Sequence, residues 1–451
     1  MLLEEKLKEL GDRVVWVKYH LTDIQGNLRE VTVRRDAIHK EGYTTTDGSS
    51  VFGKIIPPTE SDMVLVPDVN TLMVLPWQQD TARVICNAYH YPKGEGKKSK
   101  PFRGCPRSIL TQVEKSIDSE LSQRVAKIYG RYFTRFHAHF APEVEFILVD
   151  KSYPFRRIHR DTMLANDNYF SPPKRKVDQF LMQVIDFLSI TDMKREKYHT
   201  EVTTYQCEIG IGHGNALKVA DANVTLKYII GIVAEMHGMR ASFMPKFNQR
   251  VNGSGMHVHQ NLAVSIGDEE HNLFYDKTMK DGLSKIGRAY IAGLLNHAEE
   301  ITAITNPIPP SYKRLVPGCE APTYIAWDWE NRTALCRGHS PNTRRIRVEY
   351  RAPDPTCNPY LAFSAMLAAG LEGIHEDSKL PLPSKRDFYH DNHGVRELPG
   401  NLDRALAYMN QSEMLRRRLG NFIIDTLYKL GSAVSKDYSQ RVNDVDIEMF
   451  S

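Results

Sequence analysis

Residues 141–150 read APEVEFILVD, and the fold turns on how that stretch is read. Val144 and the run from Phe146 to Val149 carry the branched and aromatic side chains of a buried strand. Glu143 and Glu145 stand two apart within it, so a strand directs both carboxylates to one face. At a separation of roughly 7 Å, two carboxylates repel by about 2 kcal/mol at an effective dielectric near 20. A solvated edge strand would disperse that repulsion, whereas a buried strand needs positive charge against the same face.

Two other stretches share the spacing. GMHVHQ sets His257 and His259 two apart, and IRVEYRAP does the same with Arg347, Glu349 and Arg351. Each alone fits the wet face of a half-buried sheet. Together, and each flanked by apolar residues, they suit a cavity that holds cations and an anionic substrate. Carboxylates joined by an imidazole favour Mg²⁺ or Mn²⁺ over zinc. VNGSGMH can bring backbone N–H groups close to a ligand, or serve as a plain hairpin turn. YKRLVPGCEAP has the cations, rigid Pro-Gly turn and acid of a charged flap, and WENRTALCRG adds Arg332 and Arg337. Arginines in that number beside acids point to phosphate or carboxylate recognition.

Outside these stretches the 451-residue chain is long enough for a large catalytic domain and a smaller companion. Residues 14–33 alternate around Gln25-Gly26-Asn27 as a hairpin, and DMVLVPD, TLMVLPW and ARVICNAYHY add short strands. The polar stretch 92–106, PKGEGKKSKPFRGCP, marks a boundary, giving a mostly-β domain over 1–103 and a larger domain over 104–451. Residues 217–238 and 360–374 have helical patterns, the second almost wholly apolar and therefore buried. The pattern as a whole predicts an α+β fold.

The 59 basic and 55 acidic residues are scattered, which argues against nucleic acid, and EMLRRRLG reads as a charged helix face. No run of 18 apolar residues occurs, so no membrane span is expected. The start, MLLEEKLKELGDRV, reads as an amphipathic helix without the apolar core of a secretion signal. The six cysteines form no CxxC pair and read as reduced thiols of a cytoplasmic protein.

TTTDGSSV, ESDMVLVPD, PEVEF, NYFSPP, YHTEV, FMPKF, NGSGMHVHQ, SYKRLVPGCEAP, NRTALCR and RVEYRAPDPTCNPYLAF, in this order, resemble the glutamine synthetase family, in its bacterial and archaeal type I branch. The resemblance covers almost the whole chain. It implies an N-terminal β-grasp domain, a catalytic domain with a curved antiparallel sheet flanked by helices, and a homo-oligomer of two stacked hexameric rings. It implies ATP-dependent joining of ammonium to glutamate, with two or more Mg²⁺ or Mn²⁺ ions per site. By matching position, Glu145, Glu201 and Glu208 would hold one ion, and Glu143, His257 and Glu349 the other. Asn252, Gly253, Arg314, Arg332 and Arg351 would bind glutamate; Glu196, His259, Arg337 and Arg344 would bind ATP. Asp47 would act from a neighbouring subunit at an ammonium pocket completed by Ser50, Asp62, Tyr169 and Glu201, and Glu320 would close the site.

Four positions depart from the family pattern. Tyr205 stands where a glycine is usual, in a loop one residue short before Glu208, and Cys319 replaces an aromatic residue of the flap. Pro57 stands in place of an arginine that some type I enzymes use for feedback inhibition by glutamine, and Arg396 in place of a tyrosine that is adenylylated in others. Two further readings stay open beside the ammonia ligase: a ligase of glutamate to a polyamine or monoamine, and an inactive regulatory paralogue.

Overall fold

The structure is a computed structural model that describes residues 3–92, 99–130, 133–150, 169–189, 195–247, 251–318 and 320–441. Cys319 and the middle of the polar stretch 92–106 lie outside the described residues. Strands β1 (Trp16–Thr22), β2 (Leu28–Arg34), β3 (Thr44–Asp47), β4 (Asp62–Leu75) and β5 (Gln78–His90) form a five-stranded sheet in the order β2-β1-β5-β4-β3. β1 and β5 run parallel, and the other neighbours are antiparallel. The β1–β2 hairpin turns where expected: Gly26 adopts φ +90°, and the Asp23 carboxylate accepts from the Asn27 N–H at 2.9 Å. DMVLVPD and TLMVLPW are one strand rather than two, with a register shift between Asp68 and Met73. A bulge interrupts the ladder there without ending the strand.

A ten-stranded sheet makes the second body. Its strands are β6 (Phe133–Asp150), β7 (Arg195–Thr200), β8 (Gln206–Ile211), β9 (Gly214–Asn215), β10 (Met239–Ser242), β11 (Met256–Ile266), β12 (Glu269–Asn272), β13 (Trp327–Trp329), β14 (Cys336–His339) and β15 (Arg347–Tyr350). The main path runs β13-β14-β15-β11-β6-β8-β7, with β9 and β10 on β6 and β12 on β11. The strand that carries Glu143 and Glu145 is therefore central, between β11 and β8, and not an edge. The expected helices are Ala216–Met236 and Pro359–His375, and every residue of the latter up to Ile374 is buried. With helices beside two sheets, the protein is α+β.

One apolar cluster extends from Leu3 in the first helix to Ile424 near the end and includes residues of both sheets. Polar contacts cross the same junction. Arg107 reaches Asp68 at 2.7 Å and Asp221 at 2.8 Å, and Arg83 donates to Thr225 Oγ1 at 2.5 Å. Asn358 caps the buried helix through Tyr360 N–H and donates to the Asp23 carbonyl of the β1–β2 turn. Among the described residues no helix is long and apolar enough to cross a membrane.

Candidate active site

Strand register gathers the site. β6 and β11 pair Glu143 with His257, and β6 and β8 pair Glu145 with Glu208. β7 sets His199 opposite Glu208, while Glu349 of β15 faces both His259 of β11 and Arg337 of β14. Because a strand repeats every two residues, these positions and their i+2 neighbours share one face.

That face lines a cavity of about 440 Å³. Glu143, Glu145, Glu201, Glu208, His257 and Glu349 all reach it, as do Asn252, Gly253, Arg314, Arg332 and Arg351. Tyr169, Glu320, His259 and Arg337 complete the expected set found there. Arg344 instead lines an adjoining cavity of about 1100 Å³, with His259 and Arg347 common to both. Glu196 lies in β7, and its side chain is outside the described residues.

Asp47, Ser50 and Asp62 do not line the cavity of their own chain. All three are exposed; Asp47 pairs with Asp62 across β3 and β4 of the five-stranded sheet, and Ser50 lies in the short helix Gly48–Val51 that follows β3. The Asp47 carboxylate accepts from the Ser49 and Ser50 hydroxyls, each at 2.7 Å, and those bonds hold its pKa down to about 2.

Four lining residues escaped the sequence reading, Lys197, Gln206, His339 and Tyr389, and so did His199, grouped with Glu201 and Glu208. Two had a visible signal, since His199 stands two before Glu201 and His339 two after Arg337. Lys197 Nζ lies 3.7 Å from Glu143 and 3.9 Å from Glu208, a cation between the two groups of acids. Gln206 donates to Glu145 Oε2 at 3.0 Å and to the Gly253 carbonyl at 3.0 Å.

The turn before β11 is built around absent side chains. Gly255 N–H donates to Glu145 Oε2 at 3.0 Å. A Cβ on Gly255 would sit 2.4 Å from Arg314 Nη2, and one on Gly253 would sit 2.4 Å from the Pro245 carbonyl. Arg314 cannot easily yield, because its guanidinium donates to the carbonyls of Ala352, Pro353 and Arg351.

Electrostatics split the face in two. At one end, burial and then the neighbouring Glu201 and Glu208 push Glu145 well above the usual carboxylate range. Glu201 is raised to about 7 by burial and by Glu208. At the other end, hydrogen bonds from His257 and His259 outweigh the burial of Glu143 and hold it far below normal. Glu349 is likewise held down, against its burial, by Arg351 and by His339. Burial depresses His257 and His339, which leaves both imidazoles with a lone pair to offer. The first end is short of positive charge, and the second is neutralised by its own side chains.

The donor set fits divalent ions. Three groups, Glu143-His257-Glu349, His199-Glu201-Glu208 and His259-His339-Glu349, each place three donor atoms within 4.8 Å of one another. Glu208 Oε1 is buried with His199 Nε2 at 3.1 Å and Lys197 Nζ at 3.9 Å, but with no well-aligned hydrogen bond, and a cation among these atoms would satisfy it. Oxygen-rich donors with imidazole suit Mg²⁺ or Mn²⁺.

Residues 103–450 match the family model described as "Glutamine synthetase, catalytic domain", and residues 13–91 match "Glutamine synthetase, beta-Grasp domain". The chain belongs to the glutamine synthetase family. The glutamine synthetase of Methanocaldococcus jannaschii is 36% identical over 455 residues, covering 96% of this chain and 94% of the relative. That of Thermotoga maritima is 35% identical over 454 residues, covering 97% of each. A solved structure titled "GmaS/ADP complex-Conformation 1" superposes with a TM-score of 0.82 at 26% identity and covers 99% of both chains. The N-terminal sheet is thus a β-grasp domain and the larger sheet belongs to the catalytic domain of this family, whose members use ATP and divalent metal.

Proposed function

We propose that this site joins ammonia to the γ-carboxylate of L-glutamate, driven by ATP, and releases L-glutamine, ADP and phosphate. One observation supports this above the others. In a chain of the glutamine synthetase family, one sheet face and the turn after β7 bring Glu143, Glu145, Glu201, Glu208, His257 and Glu349 to one cavity rimmed by Arg314, Arg332, Arg337 and Arg351.

We assign one ion to Glu145, Glu201 and Glu208, and a second to Glu143, His257 and Glu349. Bound there, Mg²⁺ or Mn²⁺ would supply Lewis-acid neutralisation of a phosphoryl group in transfer. Arg314, Arg332, Arg351 and the Asn252-Gly253 turn hold the amino acid. Glu196, His259, Arg337 and Arg344 hold the nucleotide, which the adjoining cavity at Arg344 has room to accept.

A carboxylate resists ammonia because its carbonyl carbon is electron-rich and oxide is a poor leaving group. Attack of the γ-carboxylate oxygen on the terminal phosphorus of ATP breaks the bond to ADP and gives an acyl phosphate. The arginines around the cavity oppose the charge as the phosphoryl group moves. Asp47 of a neighbouring subunit takes a proton from ammonium beside Ser50, Asp62, Tyr169 and Glu201. Ammonia then adds to the acyl carbon and phosphate leaves. Glu320, on a segment that its φ of +55° holds in a tight turn, excludes water from the acyl phosphate.

Two stacked hexameric rings and a cytoplasmic location complete the reading. We place the domain boundary between residues 103 and 104, beside the start of the catalytic-domain match. A second reading, ligation of a larger amine, is favoured by the full-length likeness to the structure titled GmaS. An assay of purified protein with glutamate, ATP and a panel of amines decides between them. Glutamine formation with the highest kcat/KM for ammonium is expected; a higher value for methylamine or a polyamine would move the assignment to that amine. Absence of turnover with every amine would indicate an inactive paralogue.

A further inference from the structure

We propose that His339 is a direct ligand of the ion held at Glu349, giving that position a second imidazole and a preference for Mn²⁺ over Mg²⁺. The inference rests on the reading of Glu143, His257 and Glu349 as a metal position.

Glu349 is bracketed on both oxygens. Arg351 Nη1 lies 2.6 Å from Oε1, with His257 Nδ1 at 3.5 Å. His339 Nε2 lies 2.6 Å from Oε2, with Arg337 Nη1 at 3.3 Å. These four neighbours are not equivalent. A guanidinium has no lone pair and can only stand aside when an ion arrives, whereas a neutral imidazole can turn its nitrogen to the ion. His339 meets that ion position through the shared Glu349: its donor atom, that of His259 and a Glu349 oxygen lie within 4.8 Å of one another, beside the Glu143-His257-Glu349 group. The two imidazole rings meet edge to face at 4.9 Å.

The backbone holds His339 in place. β14 pairs Arg337 with Glu349 and His339 with Arg347, so residues 337 and 339 share the face of the acid. Gly338 between them packs against the Trp329 ring, where even a Cβ would come within 2.5 Å, so the strand has no slack to turn His339 outward. A position with carboxylates and two imidazoles departs from the nearly all-oxygen surroundings that Mg²⁺ demands. Of the two ions, Mn²⁺ belongs to the first-row series that takes nitrogen beside oxygen ligands, and it accepts an imidazole among carboxylates more readily than Mg²⁺ does.

The competing explanation is that His339 only hydrogen-bonds Glu349 and steadies it. Mn²⁺ and Mg²⁺ are titrated into metal-stripped full-length protein, wild type against His339→Ala and His339→Asn. Electron-spin-echo spectroscopy of the Mn²⁺ protein reads directly bonded ¹⁴N. Losing a direct ligand should weaken Mn²⁺ binding by more than the roughly 10–100-fold that follows loss of an outer partner, with Mg²⁺ affected less and one imidazole nitrogen lost from the spectrum of both variants. An asparagine that restores Mn²⁺ affinity, or a ¹⁴N pattern unchanged in the variants, would overturn the proposal while leaving the metal position itself intact. Failure of the wild-type protein to bind Mn²⁺ would overturn both. Circular dichroism of each variant, with retained Mn²⁺ at the Glu145 position, separates ligand loss from misfolding.

Discussion

The side chains that meet the cavity are held by neighbours that leave little room for substitution. Gly253 is hemmed in by the Pro245 carbonyl at 2.4 Å and Arg314 Cγ at 2.6 Å from where a Cβ would lie. Arg314 is tied to three carbonyls, so Gly253→Ala should displace the turn toward the substrate. The expected result is a rise of about tenfold in KM for glutamate, with a lowered melting temperature from the clash with the backbone. Steady-state kinetics beside calorimetry check it, and an unaltered KM would remove the turn from the glutamate pocket. Glu143→Gln and His257→Ala act differently, because they delete donors and create no clash. Each should lower turnover by far more than the 10–100-fold that follows loss of an outer partner. Near-normal activity in a well-folded variant would break the assignment of the second ion.

Among the elements, the helix Pro106–Tyr129 carries a carboxyl group out of its usual range. Glu114 accepts from Leu217 N–H at 3.2 Å, in the first turn of the helix Ala216–Met236, and burial raises its pKa from 4.5 to about 7. A folded-state acid raised in this way keeps a proton that the unfolded chain has released. Its contribution is fully present below pH 4.5 and is lost as pH climbs through about 7. With 7 − 4.5 = 2.5 units, the loss is at most about 3 kcal/mol. Glu114→Gln should therefore gain melting temperature relative to the parent at pH 8 and gain little at pH 5. An equal offset at the two pH values would show that Glu114 does not titrate in this range. Strand pairing is the part of the fold that the sequence keeps out of sight. Spacing of two placed Glu143 with Glu145 and His257 with His259 on shared faces, since that depends only on the pleat. Which strand lies across from which is non-local, so the central place of β6 and the arrival of Lys197 between Glu143 and Glu208 were hidden. Tyr205, noted only as a departure from a family glycine, adopts φ +62°. The left-handed backbone costs a non-glycine residue about 1–2 kcal/mol, and Lys174 over the Tyr205 ring at 5.1 Å helps hold it there.

For the whole molecule, Asp47 is exposed and does not line the cavity of its own chain that holds Glu143, Glu145 and Glu208, acids carried by the other sheet. If a neighbour supplies it, two inactive variants, Asp47→Ala and Glu349→Gln, should regain part of the activity when co-assembled. Mixed oligomers that contain both chains yet stay inactive would argue that each subunit works alone. Within one subunit the two sheets are not independent parts. The apolar cluster runs through both, Arg107 is clasped between Asp68 and Asp221, and Arg83 is anchored on Thr225. The N-terminal sheet is consequently no cassette. A transplanted β-grasp domain that altered Asp68 would leave buried Arg107 with Asp221 alone, and one that altered Arg83 would take away the donor to the Thr225 hydroxyl, so a graft has to exchange these positions as linked sets.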